Sequence, residues 1–261
     1  VFDANKSEIH KYKSIFIDEI QDYNPKWVEI VRKYFLEDNS EMVLFGDEKQ
    51  NIYERDMDDE KKPKTPQGFR WWSKLNKSIR HKQDSHILNL AKSFQQYFFT
   101  KKYEIDVYEE SNTQKFHDLI GINKVALYSN NDFNGLVSAI FENIKKEDIQ
   151  PNDVCILSSV ISPLREIDYL IRTEFNEKTL TTFESKEIYD SHRKEIVNLR
   201  KNKKIGFNLN SGVIKLSTIH SFKGFEAHTV FLIINEHDCE EMIYTGITRA
   251  KFNIMIFLDN R

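Results

Sequence analysis

Lys13-Ser14-Ile15-Phe16-Ile17-Asp18-Glu19-Ile20-Gln21-Asp22 is a short apolar run that stops at carboxylates. Its β-branched and aromatic residues predict a buried strand over 13–18 that delivers acidic groups at its carboxyl end. Asn24 then predicts a helix cap and Pro25 a first helical turn, with Trp27, Val28, Ile30, Val31, Tyr34 and Phe35 forming a broad apolar face. Met42-Val43-Leu44-Phe45 predicts the next strand, and it too ends in polar chemistry, Gly46-Asp47-Glu48-Lys49-Gln50. Strand, helix and strand with functional groups at both strand ends predict a doubly wound α/β fold, in which ligands collect at carboxyl edges.

Outward from this unit, residues 54–70 are charged and carry two prolines and Gly68, which predicts an exposed loop. From about 84 the alternation resumes. Helices are expected at 84–99, 132–146, 162–175, 185–202 and 240–249, and strands at 124–128, 153–158, 179–183, 212–217, 229–234 and 252–258. The simplest partition is the end of one α/β lobe over 1–74 and a complete second lobe over 75–261.

Composition bounds the partners without choosing among them. With 261 residues, 39% of them hydrophobic, the chain can bury a substantial core. Its apolar runs, such as 229–234 and 253–258, are far shorter than the roughly 20 residues that span a bilayer, so no membrane segment is expected. Residues 1–6 lack the basic start and apolar stretch of a secretory signal. Cys155 and Cys239 stand apart from any metal-spaced cluster, which favours a reducing, cytoplasmic setting. A net charge of −3 supplies no global attraction for nucleic acid, although a locally basic cleft can coexist with it.

Adjacent carboxylates on a rigid strand end suit phosphoryl transfer to water: one acid holds Mg²⁺ through its water shell, and one orients and deprotonates the attacking water. Asp18 and Glu19 have that placement, and Gln50 is spaced to hydrogen-bond a terminal phosphate or its water. Each feature alone also fits an ordinary strand-end turn. Their order with the later motifs is more specific. Asp18 to Asp22, Gly46 to Tyr53, Leu75 to Arg80, Thr218 to Glu226 and Tyr244 to Lys251 together resemble superfamily 1 helicases of the UvrD/Rep type.

That resemblance implies RecA-like parallel sheets flanked by helices, a partial first lobe followed by a complete second one, and ATP and Mg²⁺ as cofactors. By it, Asp18 is the Mg²⁺ carboxylate, Glu19 the general base and Gln50 the γ-phosphate sensor. Arg80 and Arg249 resemble arginines that neutralise charge on the transferred phosphoryl group. Gly224 and Glu226 resemble the positions near γ-phosphate and ribose, Thr218 and His220 contacts to the backbone of single-stranded DNA, and Tyr53 a base-stacking aromatic. RNA is not excluded as the strand.

Several positions depart from the family pattern. Ile79 stands where the family has a tyrosine that stacks on adenine, Glu54-Arg55-Asp56 replaces an aromatic and Arg-Gly, and Phe222 and Phe225 replace smaller or aliphatic residues. Trp71 and Trp72 are nearby aromatics that could stack on bases or pack the lobe junction. The stretch from Arg80 to Thr218 leaves little room for the family's large inserted subdomain, which is expected to be absent or reduced. None of the eight glycines is followed by lysine, so the 261 residues contain no Gly-x-x-x-x-Gly-Lys-Ser/Thr (Walker A) phosphate loop. The expectation is therefore a helicase portion that needs an upstream Walker A-containing region. The alternatives are a non-catalytic, motor-derived binding module and a helicase-like subunit of a nuclease complex.

Overall fold

The computed structural model describes residues 9–58, 62–66, 68–69, 72–73, 85–103, 122–129, 132–191 and 196–259. The chain divides into two compact units, one of residues 1–77 with 98–106, the other of residues 78–97 with 107–261. The return to the first unit over 98–106 has no counterpart in the sequence pattern.

In the first unit, β1 (Tyr12–Ile17) pairs in parallel with β2 (Leu36–Leu44), and α1 (Pro25–Phe35) connects them. Alternation in β1 sends Ile15 and Ile17 towards Val28 and Val31 of α1, while Phe16 remains 63% exposed beside Phe45. Asn24 Oδ1 accepts the Lys26 amide at 3.0 Å, so the expected cap and the Pro25 first turn are both present. β2 begins earlier than expected, at Leu36, directly after α1. Its register shifts between Tyr12 and Ser14, with Asn39 at φ 59°, and regular pairing runs from Glu41 to Leu44, close to the expected strand.

The second unit is a six-stranded parallel sheet, the expected α/β class, in the order β3-β8-β7-β4-β6-β5. In chain order its elements are α2 (His86–Phe94), β3 (Asn123–Tyr128), α3 (Phe133–Lys146), β4 (Val154–Ser158), α4 (Ile161–Thr173), β5 (Thr179–Thr181), α5 (Lys186–Ser191), α6 (Ile196–Ile205), β6 (Ile214–Thr218), α7 (Ile219–Phe222), β7 (Ala227–Ile234), α8 (Glu240–Ile247) and β8 (Ala250–Asp259). β4 lies between β7 and β6 and is buried along its whole length, which is why Val-Cys-Ile-Leu reads as a continuous apolar run. Leu164, Ile167 and Ile171 of α4 and Leu136, Val137 and Ile140 of α3 close the core over Ile156, Leu216 and Phe231.

A charged hub lies beyond β5. Glu184 is fully buried; Arg165 of α4 reaches it at 2.7 Å and Arg200 of α6 at 2.6 Å. Burial alone would raise its pKa, but hydrogen bonds from Arg200, its own backbone and Arg165 hold it down to about 2. Within the helix expected over 185–202, the described residues form α5 and α6, with residues 192–195 outside the described set.

Candidate active site

β1 ends at Ile17, so Asp18 and Glu19 leave the sheet at its carboxyl edge as expected. Asp18 Oδ1 accepts the Glu19 amide at 2.8 Å, and Glu19 lies in the left-handed region at φ 54° and ψ 44°. For a non-glycine residue that conformation costs on the order of 1–2 kcal/mol. It turns the chain at once into the short 3-10 turn Ile20–Asp22, so the two carboxylates are set on a sharp corner.

Gln21 holds this corner. It is 1% exposed; its amide nitrogen donates to Glu19 Oε2, and its amide oxygen accepts from the Asp47 backbone at 3.1 Å. Asp47 in turn accepts the Gln50 side-chain amide at 2.9 Å and the Lys49 amide at 3.1 Å. An unbroken hydrogen-bonded path therefore links Glu19, Gln21, Asp47 and Gln50, which brings the two strand-end motifs together. The sequence reading gave Gln21 and Asp47 no role; burial of a side-chain amide was the missing signal, because it demands partners for both its ends. Burial opposes the charge of Lys49, but Asp47 and Glu48 outweigh it and raise the pKa, so the lysine stays charged beside the path.

Gly46 is required by the same join. A Cβ there would stand 2.6 Å from Ile20 Cγ2 and 2.8 Å from Gln21 Oε1. Gly46→Ala is expected to cost about 1–3 kcal/mol by overpacking and to pull the Asp47 amide from Gln21. Faster hydrogen exchange at the Asp47 amide, with β1 amides still protected, checks this; unchanged exchange would show the join to be loose.

Asp18, Glu19, Asp22, Tyr23, Trp27, Tyr53 and Arg55 line an open recess of about 560 Å³. Arg55 sits over the Trp27 ring at 5.5 Å, and Asn51 closes the turn to Arg55 with two 2.9 Å hydrogen bonds. Tyr53 is 45% exposed, and burial followed by the charge of Asp22 raises its phenol pKa, so it faces the recess as a neutral ring. Trp72 is 40% exposed. Arg80, Ile79 and Trp71 lie outside the described residues.

In the second unit, strand direction sorts the remaining residues onto two edges. Thr218 ends β6 at the carboxyl edge, where its hydroxyl caps α7 by accepting the Ser221 amide at 3.3 Å; His220 lies within α7 and is half-buried. Glu226 and Arg249 immediately precede β7 and β8 at the amino edge, joined by the Ala227 amide donating to the Arg249 carbonyl at 3.0 Å. Gly224, at φ 86° with open space around its Cβ position, turns the chain between the two edges. Glu226 pairs with Lys251 at 3.4 Å.

Arg249 is 2% exposed. Its Nε donates to the Thr245 carbonyl at 3.1 Å and its terminal nitrogens to Thr248 Oγ1 at 3.0 Å and the Phe225 carbonyl at 3.5 Å. Here it ties the end of α8 to the Gly224–Glu226 turn, so action on a phosphoryl group requires the guanidinium to leave part of this set.

Residues 3–57 match the family described as the UvrD/REP helicase N-terminal domain. No curated protein matches the chain. Among solved structures, the chain is similar to one described as the C-terminal domain of a possible DNA helicase from Lactobacillus plantarum WCFS1. The identity is 11%, over 69% of this chain and 86% of that one, with a TM-score of 0.39. The family match is thus confined to residues 3–57, the segment that carries Asp18, Glu19 and Gln50. No helix among the described residues is long and apolar enough to cross a membrane.

Proposed function

We propose, for a chain whose residues 3–57 are of the UvrD/REP helicase N-terminal type, that it works within an ATP-dependent helicase or translocase that couples ATP hydrolysis to movement along single-stranded DNA. The observation that carries this reading is the hydrogen-bonded path from Glu19 through buried Gln21 and then Asp47 to Gln50. It ties a carboxylate able to take a proton from water to an amide able to sense a terminal phosphate.

Asp18 is exposed and offers hard carboxylate oxygens, the donors Mg²⁺ takes while keeping most of its water. The ion's contribution when bound is to neutralise charge on the nucleotide phosphates. Glu19 orients and deprotonates the attacking water, with Gln21 fixing the direction of its carboxylate. Gln50 registers the phosphate, and a change in its bond to Asp47 is passed back through Gln21. Gly224 and Glu226, with Arg249 once released, are assigned to the nucleotide; Thr218 and His220, on the opposite edge of their own sheet, to the strand; and Tyr53 to a stacked base.

The phosphate loop comes from a Walker A-containing region upstream, and the 261 residues alone turn over ATP poorly or not at all. A cytoplasmic setting belongs to the same proposal, since buried Cys155 is a thiol. ATP turnover with and without oligo(dT), on this chain and on a gene product extended to include that loop, is the test. DNA-stimulated turnover in the extended protein and none in the short chain supports the reading; no turnover in the extended protein under either condition overturns it in favour of a binding module.

A further inference from the structure

α6 reads Ile-Val-Asn-Leu-Arg-Lys-Asn-Lys-Lys-Ile, with four cations and no carboxylate in a chain whose net charge is −3. Its inner face is defined by Ile196, which is buried, and Leu199, Arg200 and Lys203, which are half-buried. Arg200 is bound to Glu184 at 2.6 Å, and Lys203 donates to Thr181 Oγ1 at 2.7 Å. Helical spacing puts Val197, Lys201, Lys204 and Ile205 on the other side, where Val197 is 78% and Ile205 76% exposed, with both lysines also exposed. The helix is held by ion pairs and hydrogen bonds beneath it, and a cationic stripe with apolar ends is left facing solvent.

The position of that stripe matters as much as its charge. Thr181 is the last residue of β5, so Lys203 pins α6 to the carboxyl edge of the sheet. The next residue, Thr182, has its hydroxyl 3.1 Å from Ser217 Oγ, one position before Thr218. Beyond α6, Phe207 packs edge-on against Phe222 at 6.2 Å and also meets Phe225 at 6.0 Å, both within the turn that follows Thr218. The C-terminal end of α6 and the chain just beyond it are therefore fixed to the edge that carries Thr218 and His220.

We infer that the outer face of α6 is a contact surface for the phosphodiester backbone of a single-stranded nucleic acid, continuing the strand path that begins at Thr218. The inference rests on the nucleic-acid part of the function proposed above. Lys201 and Lys204 neutralise phosphates as point charges on flexible stems, without reading sequence. Val197 and Ile205 give apolar surface to sugars and base faces. A basic, partly apolar helix face also suits anionic lipid, but the ties of Lys203 to Thr181 and of Phe207 to Phe222 place it by the edge that carries Thr218.

The test is fluorescence anisotropy of this chain with labelled oligo(dT) across a salt series, for wild type, Lys201→Gln/Lys204→Gln, Lys201→Arg/Lys204→Arg, and a control, Lys145→Gln/Lys146→Gln on α3. Each lost phosphate contact on a single strand flattens the slope of log K against log salt by about 0.7. The α6 Gln pair should therefore flatten it by roughly 1.4, with the Arg pair and the α3 control matching wild type. Unchanged slope in the α6 Gln pair, or equal flattening in the control, overturns the inference while nucleic-acid binding stands. No oligonucleotide binding by wild type refutes the parent reading and this inference together. Binding of phosphatidylserine vesicles but not oligo(dT), lost in the α6 Gln pair, assigns the face to a membrane surface instead.

Discussion

Glu19→Gln, in a protein that includes the phosphate loop, lowers kcat for ATP hydrolysis by about 10²- to 10⁴-fold and leaves the KM for ATP within a fewfold of wild type. The change keeps size and shape and can still accept the Gln21 amide, so the corner at φ 54° stays in place. What disappears is the capacity to take a proton from water, an interaction made as the nucleophile forms and not when ATP binds. Steady-state kinetics at saturating oligo(dT) reads both constants. A fall in kcat below tenfold would remove Glu19 from the base role; a large rise in KM with kcat preserved would make it a binding residue.

Glu184→Ala destabilises the second unit by about 3 kcal/mol. Removing one partner of a buried ion pair costs about 3–5 kcal/mol, and the lower end applies because Arg200 keeps 33% of its side-chain surface in water while Arg165 keeps only 12%. For a domain of this size the melting temperature should drop by roughly 6–12 °C. The wild-type hub also has a pH signature. The folded-state pKa of Glu184, about 2, lies below the 4.5 of an unperturbed glutamate. Its contribution is thus complete above the unfolded pKa and is lost as pH falls through the window from about 4.5 to about 2. Thermal unfolding of wild type and Glu184→Ala at pH 7 and pH 3 checks both statements. The gap between them should narrow at the lower pH, and a gap that is absent at pH 7 would show the hub to be energetically idle.

The parts of the fold legible in the sequence were those in which one pattern had one cause. β4 and β7 are buried on both faces, so their β-branched runs predicted them, and Asn24-Pro25 predicted a helix start because the cap and the missing amide act locally. The early start of β2 was hidden because Asp38, Asn39 and Ser40 are turn-forming residues, and a left-handed Asn39 absorbs them as a break in register. Placement of Asp18 and Glu19 at a strand end was legible; their coupling to Gln50 was not, because it runs through the buried amide of Gln21, 26 positions from Asp47. Arg249 shows a different limit. Its motif names the residue, but whether a guanidinium faces solvent or folds back onto Thr245, Thr248 and Phe225 depends on packing at the sheet's amino edge. Glu184 was likewise invisible, since Arg165 and Arg200 reach it from 19 positions before and 16 after.

Movement along a strand is the central claim, and streptavidin displacement tests it most directly. The loop-containing protein is mixed with a single-stranded oligonucleotide biotinylated at one end and capped with streptavidin, free biotin is supplied as a trap, and release is followed over time. Release that requires hydrolysable ATP, favours one end of the oligonucleotide and is abolished by Glu19→Gln is the predicted result. DNA-stimulated ATP turnover with no release from either end would contradict it, leaving a nucleotide-dependent binder in place of a motor.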